Sequence, residues 1–319
     1  MKIYIYESFK YSHLSYGIKI EEYTGGAKSV NIPEYIDSLP VTTIGAGAFY
    51  KCESLFSIKI PNTVTSIGFK AFAYCTVLDS IQIPNSVTSI GNQAFKQCWR
   101  LTSIKIPNSV TSIGEFAFSC CIRLKSIQIT NPDTEISRGA FFNCSQLESI
   151  QIPNSIKIIY ENTFDSCNSL TSIQIPNSVT SIGKCAFSGC RSLVSIQIPN
   201  SVNSIGDRAF YDCESLISIQ IPTSATLGEE VFAKCNSSLK VLGETGAEIK
   251  KFSQNTASSQ DISGKQQEDD FSTSKVLFWF AIFIFIVAAL VASFTGISFG
   301  NSLLLTVVGI VALIIWLGR

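Results

Sequence analysis

Apolar side chains recur along most of the chain at fixed positions of a repeating unit. The unit reads C-x-x-L-x-S-I-x-I-P-N-S-V-T-S-I-G-x-x-A-F-x-x, and it is seen clearly between Cys52 and Phe72. Its phenylalanine returns every 23 residues, with a ninth copy one residue early: Phe49, Phe72, Phe95, Phe118, Phe141, Phe164, Phe187, Phe210 and Phe232. A fixed period of this length is typical of a solenoid. We therefore predict one elongated solenoid domain over residues 41–242.

The spacing of apolar residues changes within each unit. Ile58 and Ile60 alternate with polar residues, which predicts a short strand. Pro61 ends that strand because it has no backbone donor. The block from Ala71 to Cys75 has room only for a short turn or one helical turn. The unit therefore predicts a mainly parallel β-solenoid with short turns or helical turns between its strands.

The N-terminal residues are predicted to cap the open end of the stack. Alternating side chains predict strands at 3–6 and 16–23, and a Thr-Gly-Gly turn follows. We expect residues 1–40 to form a β-hairpin cap together with a partial first repeat. No basic start followed by an apolar run is present here, so a signal peptide is not predicted.

Composition argues against several functional classes. Lysine plus arginine equals aspartate plus glutamate at 24 each, so no basic footprint for nucleic acid exists. The only histidine, His13, lies outside the repeats, which removes the usual general base and leaves metal sites short of imidazole. The sequence also has no phosphate-binding loop. We therefore predict a non-catalytic protein without cofactor or metal.

The eleven cysteines are explained mostly by the repeat. Nine share one position of the unit: Cys52, Cys75, Cys98, Cys121, Cys144, Cys167, Cys190, Cys213 and Cys235. Cys120 and Cys185 are extra, and no C-x-x-C pair is present, so a zinc site is not expected. Stacked coils would bring the nine to about 4.8 Å spacing. We predict a column of free, buried thiols, with disulfides between coils as the alternative.

The motif L-x-x-I-x-I-P-N-S-V-T-S-I-G-x-x-A-F-x-x-C resembles the BspA-like leucine-rich repeat family. It is clearest from Leu101 to Cys121 and from Leu170 to Cys190, and the resemblance covers about residues 28–242. The resemblance implies a curved solenoid with a parallel sheet along one face and no catalytic residues. It also implies a cell-surface binding or adhesion role, with a protein ligand and a glycan or matrix component as alternatives.

Sequence variation collects beside the conserved phenylalanine and cysteine. Trp99 and Arg100 follow one such cysteine directly, and exposed tryptophan and arginine are typical interface anchors. Lys96 and Arg123 are expected nearby, so these four residues form the candidate partner-binding patch. The alternative is that Trp99 folds down over the edge of its coil.

One repeat departs from the pattern. After Ile129 the usual Pro-Asn-Ser-Val becomes Thr-Asn-Pro-Asp, which puts Asp133 at a core valine position. The repeat glycine is also replaced, by Ser137 here and by Tyr160 in the next copy. These changes predict either a bulge that presents a site or simple drift in a tolerant repeat.

The C-terminal part predicts a tether and a membrane anchor. Residues 243–274 are polar and are predicted to be a disordered linker. Within 275–319, two apolar runs without charge predict a transmembrane helical hairpin, with helices at about 276–294 and 299–317. The lipid bilayer is therefore an expected partner.

The side of the membrane stays open. Lys265, Lys275 and Arg319 flank the two runs, and the positive-inside rule then places the repeats on the cytoplasmic face. The family resemblance instead implies the cell surface. Two functions follow: a membrane-anchored binding protein for adhesion or protein interaction, or a cytoplasm-facing scaffold.

Overall fold

The computed structural model describes residues 2–248. Its strands are β1 (Tyr4–Tyr6), β2 (Phe9–Leu14), β3 (Gly17–Tyr23), β4 (Ser29–Asn31), β5 (Tyr35–Ile36), β6 (Leu39–Ile44), β7 (Ser57–Lys59), β8 (Ser66–Ile67), β9 (Ser80–Gln82), β10 (Ser89–Ile90), β11 (Ser103–Ile106), β12 (Ser112–Ile113), β13 (Ser126–Ile129), β14 (Glu135–Ile136), β15 (Ser149–Ile150), β16 (Ile158–Ile159), β17 (Ser181–Ile182), β18 (Ser195–Gln197), β19 (Ser204–Ile205), β20 (Ser218–Gln220), β21 (Thr226–Leu227) and β22 (Lys240–Leu242). These short strands wind into the β-solenoid that the repeat predicts.

Most coils contribute two strands, and each strand pairs in parallel with its equivalent in the next coil. The first strands form the ladders β4-β7-β9, β11-β13-β15 and β18-β20-β22. The return strands, which follow the Pro-Asn turn, form β6-β8-β10-β12-β14 and β16-β17-β19-β21. Ser57 lies opposite Ser80, and Ser66 opposite Ser89. Each residue therefore pairs with the equivalent residue of the next repeat. A constant repeat length therefore stacks identical side chains in columns.

The N-terminal cap is present, and it has one strand more than the sequence pattern indicates. β1 pairs antiparallel with β2, and β2 pairs antiparallel with β3. β3 then pairs in parallel with β6, which joins the cap to the return ladder. The pattern missed β2, in which buried Phe9, Tyr11 and Ser12 break the simple alternation.

The segment after each return strand is a run of turns, and residues 2–248 contain no helix. Its backbone donors alternate between two directions: Phe72 N–H donates to Ala94 O of the next coil at 2.8 Å, whereas Ala73 N–H donates to Lys70 O at 3.1 Å. Lys70 and Tyr74 have positive φ (52° and 64°). Of the two predicted alternatives, the helical turn is wrong, because half of the donors bond across coils instead of along the chain.

Phenylalanine rings form a continuous stack inside the solenoid. The stack begins with Tyr23 of the cap, whose ring lies 5.3 Å from that of Phe49. The ring of Phe49 then lies 5.1 Å from that of Phe72, and the planes differ by 18°. The same contact recurs along the column to Phe232. The column of largest side chains therefore fills the core at the coil spacing.

Cysteine side chains form a second column, in which eight of the nine thiols donate a hydrogen bond to the coil before them. Cys75 Sγ donates to Phe49 O at 3.1 Å, and Cys121 Sγ donates to Phe95 O at 3.1 Å. The other bonds are Cys98 to Phe72, Cys144 to Phe118, Cys167 to Phe141, Cys190 to Phe164, Cys213 to Phe187 and Cys235 to Phe210. All eleven cysteines are free, as predicted, but the column also satisfies backbone carbonyls.

Burial makes these thiols hard to ionise. Desolvation raises the pKa of Cys144, Cys167 and Cys190, because a thiolate in the core would lose its hydration. Burial also raises the pKa of the half-buried Cys52 thiol, to about 11. Proton loss from these thiols therefore opposes the fold.

The predicted membrane helices at 276–294 and 299–317 lie outside the described residues, as does most of the predicted linker. Across residues 2–248, the structure contains no helix of the length and apolar character that a membrane crossing needs.

We expect the solenoid to lose stability as pH rises above the thiol pKa of the unfolded chain, about 8.5. Below that value the stabilisation is complete. Above it, the unfolded chain releases protons that the buried thiols retain, so each thiol lowers the free energy of unfolding by about 1.4 kcal/mol per pH unit. Cys190→Ala should reduce this slope in urea unfolding followed by circular dichroism at pH 8, 9 and 10. Cys120→Ala, outside the column, is the control; an unchanged slope for Cys190→Ala would contradict the prediction.

Candidate functional site

The predicted patch lies on the segment that follows the cysteine column. The Trp99 side chain is 44% exposed, which agrees with the predicted exposure and not with the alternative of a ring folded away. The Arg100 guanidinium lies over the Phe56 ring, 5.7 Å from its centroid, and its Nη2 is 3.5 Å from Asp79 Oδ1. Arg100 is therefore held by side chains of the two preceding coils. We call Phe56, Trp99, Arg100 and Arg123 the aromatic edge.

The other two predicted residues are placed differently. Arg123 is exposed and occupies the position equivalent to Arg100 one coil further on. Lys96 is half-buried. Among the ion pairs and cation–π contacts of residues 2–248, none joins Lys96 or Arg123 to Trp99 or Arg100. The structure therefore places Arg123 in the column of Arg100, and the grouping of all four residues stays a prediction.

Sequence reasoning missed Phe56 and Asp79. Phe56 is 43% exposed and occupies the position just before its strand, where Asp79 follows one coil later. Aligning the repeats by column would have placed both residues beside the segment after the cysteine. Because the side chain that crosses between coils depends on rotamers, that alignment alone does not reveal the contact.

The irregular repeat does not bury its aspartate. Asp133 is exposed, and its N–H donates to Asn131 Oδ1 at 2.9 Å within a tight turn. Thr134 is fully buried instead, and its Oγ1 donates to Val110 O at 2.8 Å. The prediction that Asp133 takes a core position is wrong, because the Asn-Pro turn shifts the inward side chain by one residue and a hydroxyl can satisfy its own bond there.

The repeat glycine is required by close approach of neighbouring coils, not by a left-handed backbone. A Cβ at Gly91 would lie 2.7 Å from the backbone carbon of Gly68, and one at Gly114 would lie 2.7 Å from that of Gly91. Neither glycine has positive φ. Contacts that short are forbidden between carbon atoms. A larger residue at this position therefore meets the backbone of the preceding coil unless the two coils adjust to it.

Tyr160 is such a residue, and the return ladder is interrupted next to it. The ladder stops at β14 and resumes at β16, and this is its only interruption within residues 2–248. In an intact pair, Thr111 N–H donates to Thr88 O and Gly114 N–H to Ile90 O, both at 2.9 Å. In the described part of the chain, the corresponding N–H groups of Lys157 and Tyr160 have no backbone partner.

Two clefts flank the irregular coil. One, of about 440 Å³, lies along the interrupted return ladder between β14 and β16, and its walls include Glu135, Arg138, Lys157 and Tyr160. We call it the return cleft. The other, of about 310 Å³, lies at the Pro-Asn turns and is lined by 128–132 and 151–154. The phenylalanine spacing is 5.6 Å between Phe141 and Phe164 here, and it reaches 6.0 Å between Phe210 and Phe232, where the glycine is present. The opening at Tyr160 is therefore confined to the return ladder.

Replacing Tyr160 by glycine should close the return cleft and restore the ladder. Two new backbone hydrogen bonds, at about 1 kcal/mol each, would be largely offset by the entropy cost of glycine and by lost tyrosine packing. Hydrogen exchange is therefore the better measurement: the amides of residues 157 and 160 should become protected. Ser137→Gly is the matched control, because Ser137 N–H already donates to Ile113 O at 3.0 Å. Unchanged exchange in Tyr160→Gly would mean that Tyr160 is not the cause of the gap.

Solved structures with the same architecture were found by comparison. A leucine-rich repeat protein from Bacteroides ovatus is 29% identical, with a TM-score of 0.63 over 75% of this chain and 70% of that chain. The leucine-rich repeat protein of T. pallidum is 32% identical, with a TM-score of 0.56 over 60% of this chain and 91% of that chain. No curated protein matches the chain.

A family profile described as the BspA type leucine rich repeat region matches six copies, over residues 42–171 and 157–263. The match covers well over half of the chain and includes the aromatic edge and the return cleft. It agrees with the 23-residue period and with the parallel coils. The chain therefore belongs to the BspA-type leucine-rich repeat family.

Proposed function

We propose that this chain is a non-catalytic, membrane-anchored leucine-rich repeat protein that binds a protein partner through the surface of its solenoid. The observation that carries the proposal is the aromatic edge. At the same repeat positions other coils expose single aliphatic residues, Ile122, Val194 and Ile217, whereas this edge exposes Trp99 and Phe56 beside two arginines.

The chemistry of the aromatic edge favours protein recognition. Tryptophan and arginine dominate binding energy at protein interfaces, because they bury a large area and keep a polar group available. The cation–π contact of Arg100 with Phe56 orders the guanidinium before a partner arrives. Its ion pair with Asp79 is exposed and contributes little to stability, so a partner carboxylate can compete for Arg100.

Several observations support a non-catalytic role. Cys190 and most other thiols of the column are buried, and burial raises the pKa of Cys190, so that this thiol keeps its proton. A protonated thiol is a poor nucleophile. His13 Nε2 lies 3.4 Å from Asp37 Oδ2 in the N-terminal cap, away from the aromatic edge in sequence and fold. Within residues 2–248, no cluster of histidine, cysteine and carboxylate side chains has the geometry of a metal site.

Membrane anchoring is proposed from the sequence of the C-terminal part. Residues 276–294 are free of charge over 19 positions, which is long enough to cross the hydrocarbon core. A second apolar run at 299–317 completes a helical hairpin. The polar linker at 243–274 would let the solenoid reorient above the bilayer.

A second candidate is a cytoplasm-facing scaffold, and the free thiols favour it. Oxidising compartments favour cysteines that are fully paired in disulfides, and an odd total of eleven cannot all pair within one chain. The basic residues that flank the apolar runs favour the same side. The family resemblance favours the opposite side, the cell surface.

Membrane anchoring is tested by extraction of the full chain with alkaline carbonate. We expect the full chain to stay in the membrane pellet, and a chain that ends at residue 256 to be released, because it lacks both apolar runs. External protease on intact cells then distinguishes the two candidates: cleavage of the repeats excludes the scaffold. Release of the full chain by carbonate would contradict the anchor.

Partner binding is tested by truncating the aromatic edge. Trp99→Ala combined with Arg100→Ala should weaken binding of a partner purified with the wild-type chain by more than about ten-fold, because anchor residues carry most of the interface energy. Phe69→Ala is the matched control, since Phe69 is also an exposed aromatic (46%) but lies on the turn segment. Equal affinity of wild type and double variant would remove the aromatic edge from the interface.

A further inference from the structure

The return cleft differs in chemistry from the same place on every regular coil. Regular return strands expose threonine and serine and then reach glycine, as in Thr111, Ser112 and Gly114. At the interruption, Ile158 stands in the serine column and Tyr160 in the glycine column, and they are 37% and 46% exposed. Ile158 and Tyr160 therefore replace a polar strand face with an apolar one. They do so at the one place within residues 2–248 where the return ladder is open.

Unpaired charges of one dominant sign surround this apolar pair. Glu115, Asp133 and Glu135 line the cleft, and none of them forms an ion pair within residues 2–248. Among the ion pairs of residues 2–248, none involves Lys157, which leaves it the only cation of the lining without one there. Three carboxylates against one ammonium leave the cleft negative, and the region is not neutralised by its own side chains.

Arg138, the remaining cation of the lining, is already engaged. Its Nη1 lies 3.8 Å from Glu161 Oε2, and its guanidinium lies over the Phe116 ring, 5.4 Å from the centroid. This arrangement directs Arg138 toward the turn segment. The net charge that the return cleft presents to a ligand is therefore set mainly by the three carboxylates.

The cleft also presents backbone groups that have no hydrogen-bond partner in the return ladder of residues 2–248. The N–H groups of Lys157 and Tyr160 lack their ladder partners within the described residues, and so does the carbonyl of Ile136, which would accept from Tyr160 in a regular pair. Backbone donors and acceptors without partners favour a ligand that carries amide groups of its own. A bare metal ion would use only the carboxylates and would be repelled by Lys157.

We propose that the return cleft binds an extended segment of a partner protein in which a lysine or arginine side chain lies next to an apolar one. The basic side chain meets Glu115, Asp133 and Glu135, while its apolar neighbour packs on Ile158 and Tyr160. This inference rests on the proposed protein-binding function and names the chemistry of the partner. It uses a surface separate from the aromatic edge, which lies on the segment after the cysteines.

The proposal is tested with fluorescent, end-capped tetrapeptides and the purified full chain in a non-ionic detergent, with detergent alone as the blank. Three probes are compared by anisotropy: alternating leucine and arginine, leucine and glutamate, and serine and arginine. We expect the leucine–arginine probe to bind at least about ten-fold more tightly than the other two, because only it matches both the charge and the apolar pair.

Charge reversal locates the binding. Glu135→Lys should weaken the leucine–arginine probe by about ten-fold or more, whereas Glu229→Lys should change it less than about two-fold. Glu229 is an exposed carboxylate at the coil position of Glu115, so both variants change the net charge equally. Tyr160→Gly, which should close the return cleft and remove its aromatic wall, should abolish binding of the leucine–arginine probe.

Other results overturn the proposal. No binding of the leucine–arginine probe, equal binding of the three probes, or equal effects of Glu135→Lys and Glu229→Lys would each do so, the last by showing general charge attraction. These outcomes would not overturn the proposed function. That function is tested by truncating Trp99 and Arg100, on a different surface and with a different ligand.

Discussion

The contact between neighbouring coils, at a spacing of one strand, is the constraint on which the rest of this structure depends. At that spacing the rings of Phe49 and Phe72 lie 5.1 Å apart, and the thiol of Cys75 reaches the carbonyl of Phe49. The same spacing excludes a side chain at the repeat glycine. A single coil could not fold, because ordering each residue costs about 1–2 kcal/mol and only stacking buries both faces of the coil. Every inward side chain therefore has to fit against the equivalent side chain or backbone of the neighbouring coil.

This packing requirement leaves few positions at which side chains can vary to recognise a partner. Those positions lie in two places. One is the segment after each cysteine, where side chains point outward and the aromatic edge forms. The other is the irregular coil, where the return ladder is open at Tyr160. The hydrogen bonds between the turn segments of neighbouring coils continue there: Phe141 N–H still donates to Thr163 O at 3.0 Å. The opening is therefore local, and the core remains continuous beneath it.

The cysteine column links stability to environment. Each thiol satisfies a phenylalanine carbonyl that a smaller apolar residue would leave with fewer donors, and burial raises the pKa of Cys190 and most of its neighbours. A thiolate at these positions would be buried without a partner, which is costly. The column thus ties the integrity of the solenoid to conditions that keep these thiols protonated.

Repetition alone was enough to predict the coils and the parallel pairing, because in-register stacking makes each column a consequence of the repeat length. It left two alternatives open: free or paired thiols in the cysteine column, and an exposed or a folded-down Trp99. It did not reveal strand β2, the contact of Arg100 with Phe56 and Asp79, or the outward turn of Asp133. Each of these depends on which atoms from other coils come within a few ångströms, and no periodicity encodes that. The missing glycines at Ser137 and Tyr160 were visible in the chain, yet only the stacked structure shows that Tyr160 leaves the ladder open while Ser137 does not. Both carry a Cβ, and the packing of the two neighbouring coils decides whether that atom finds room.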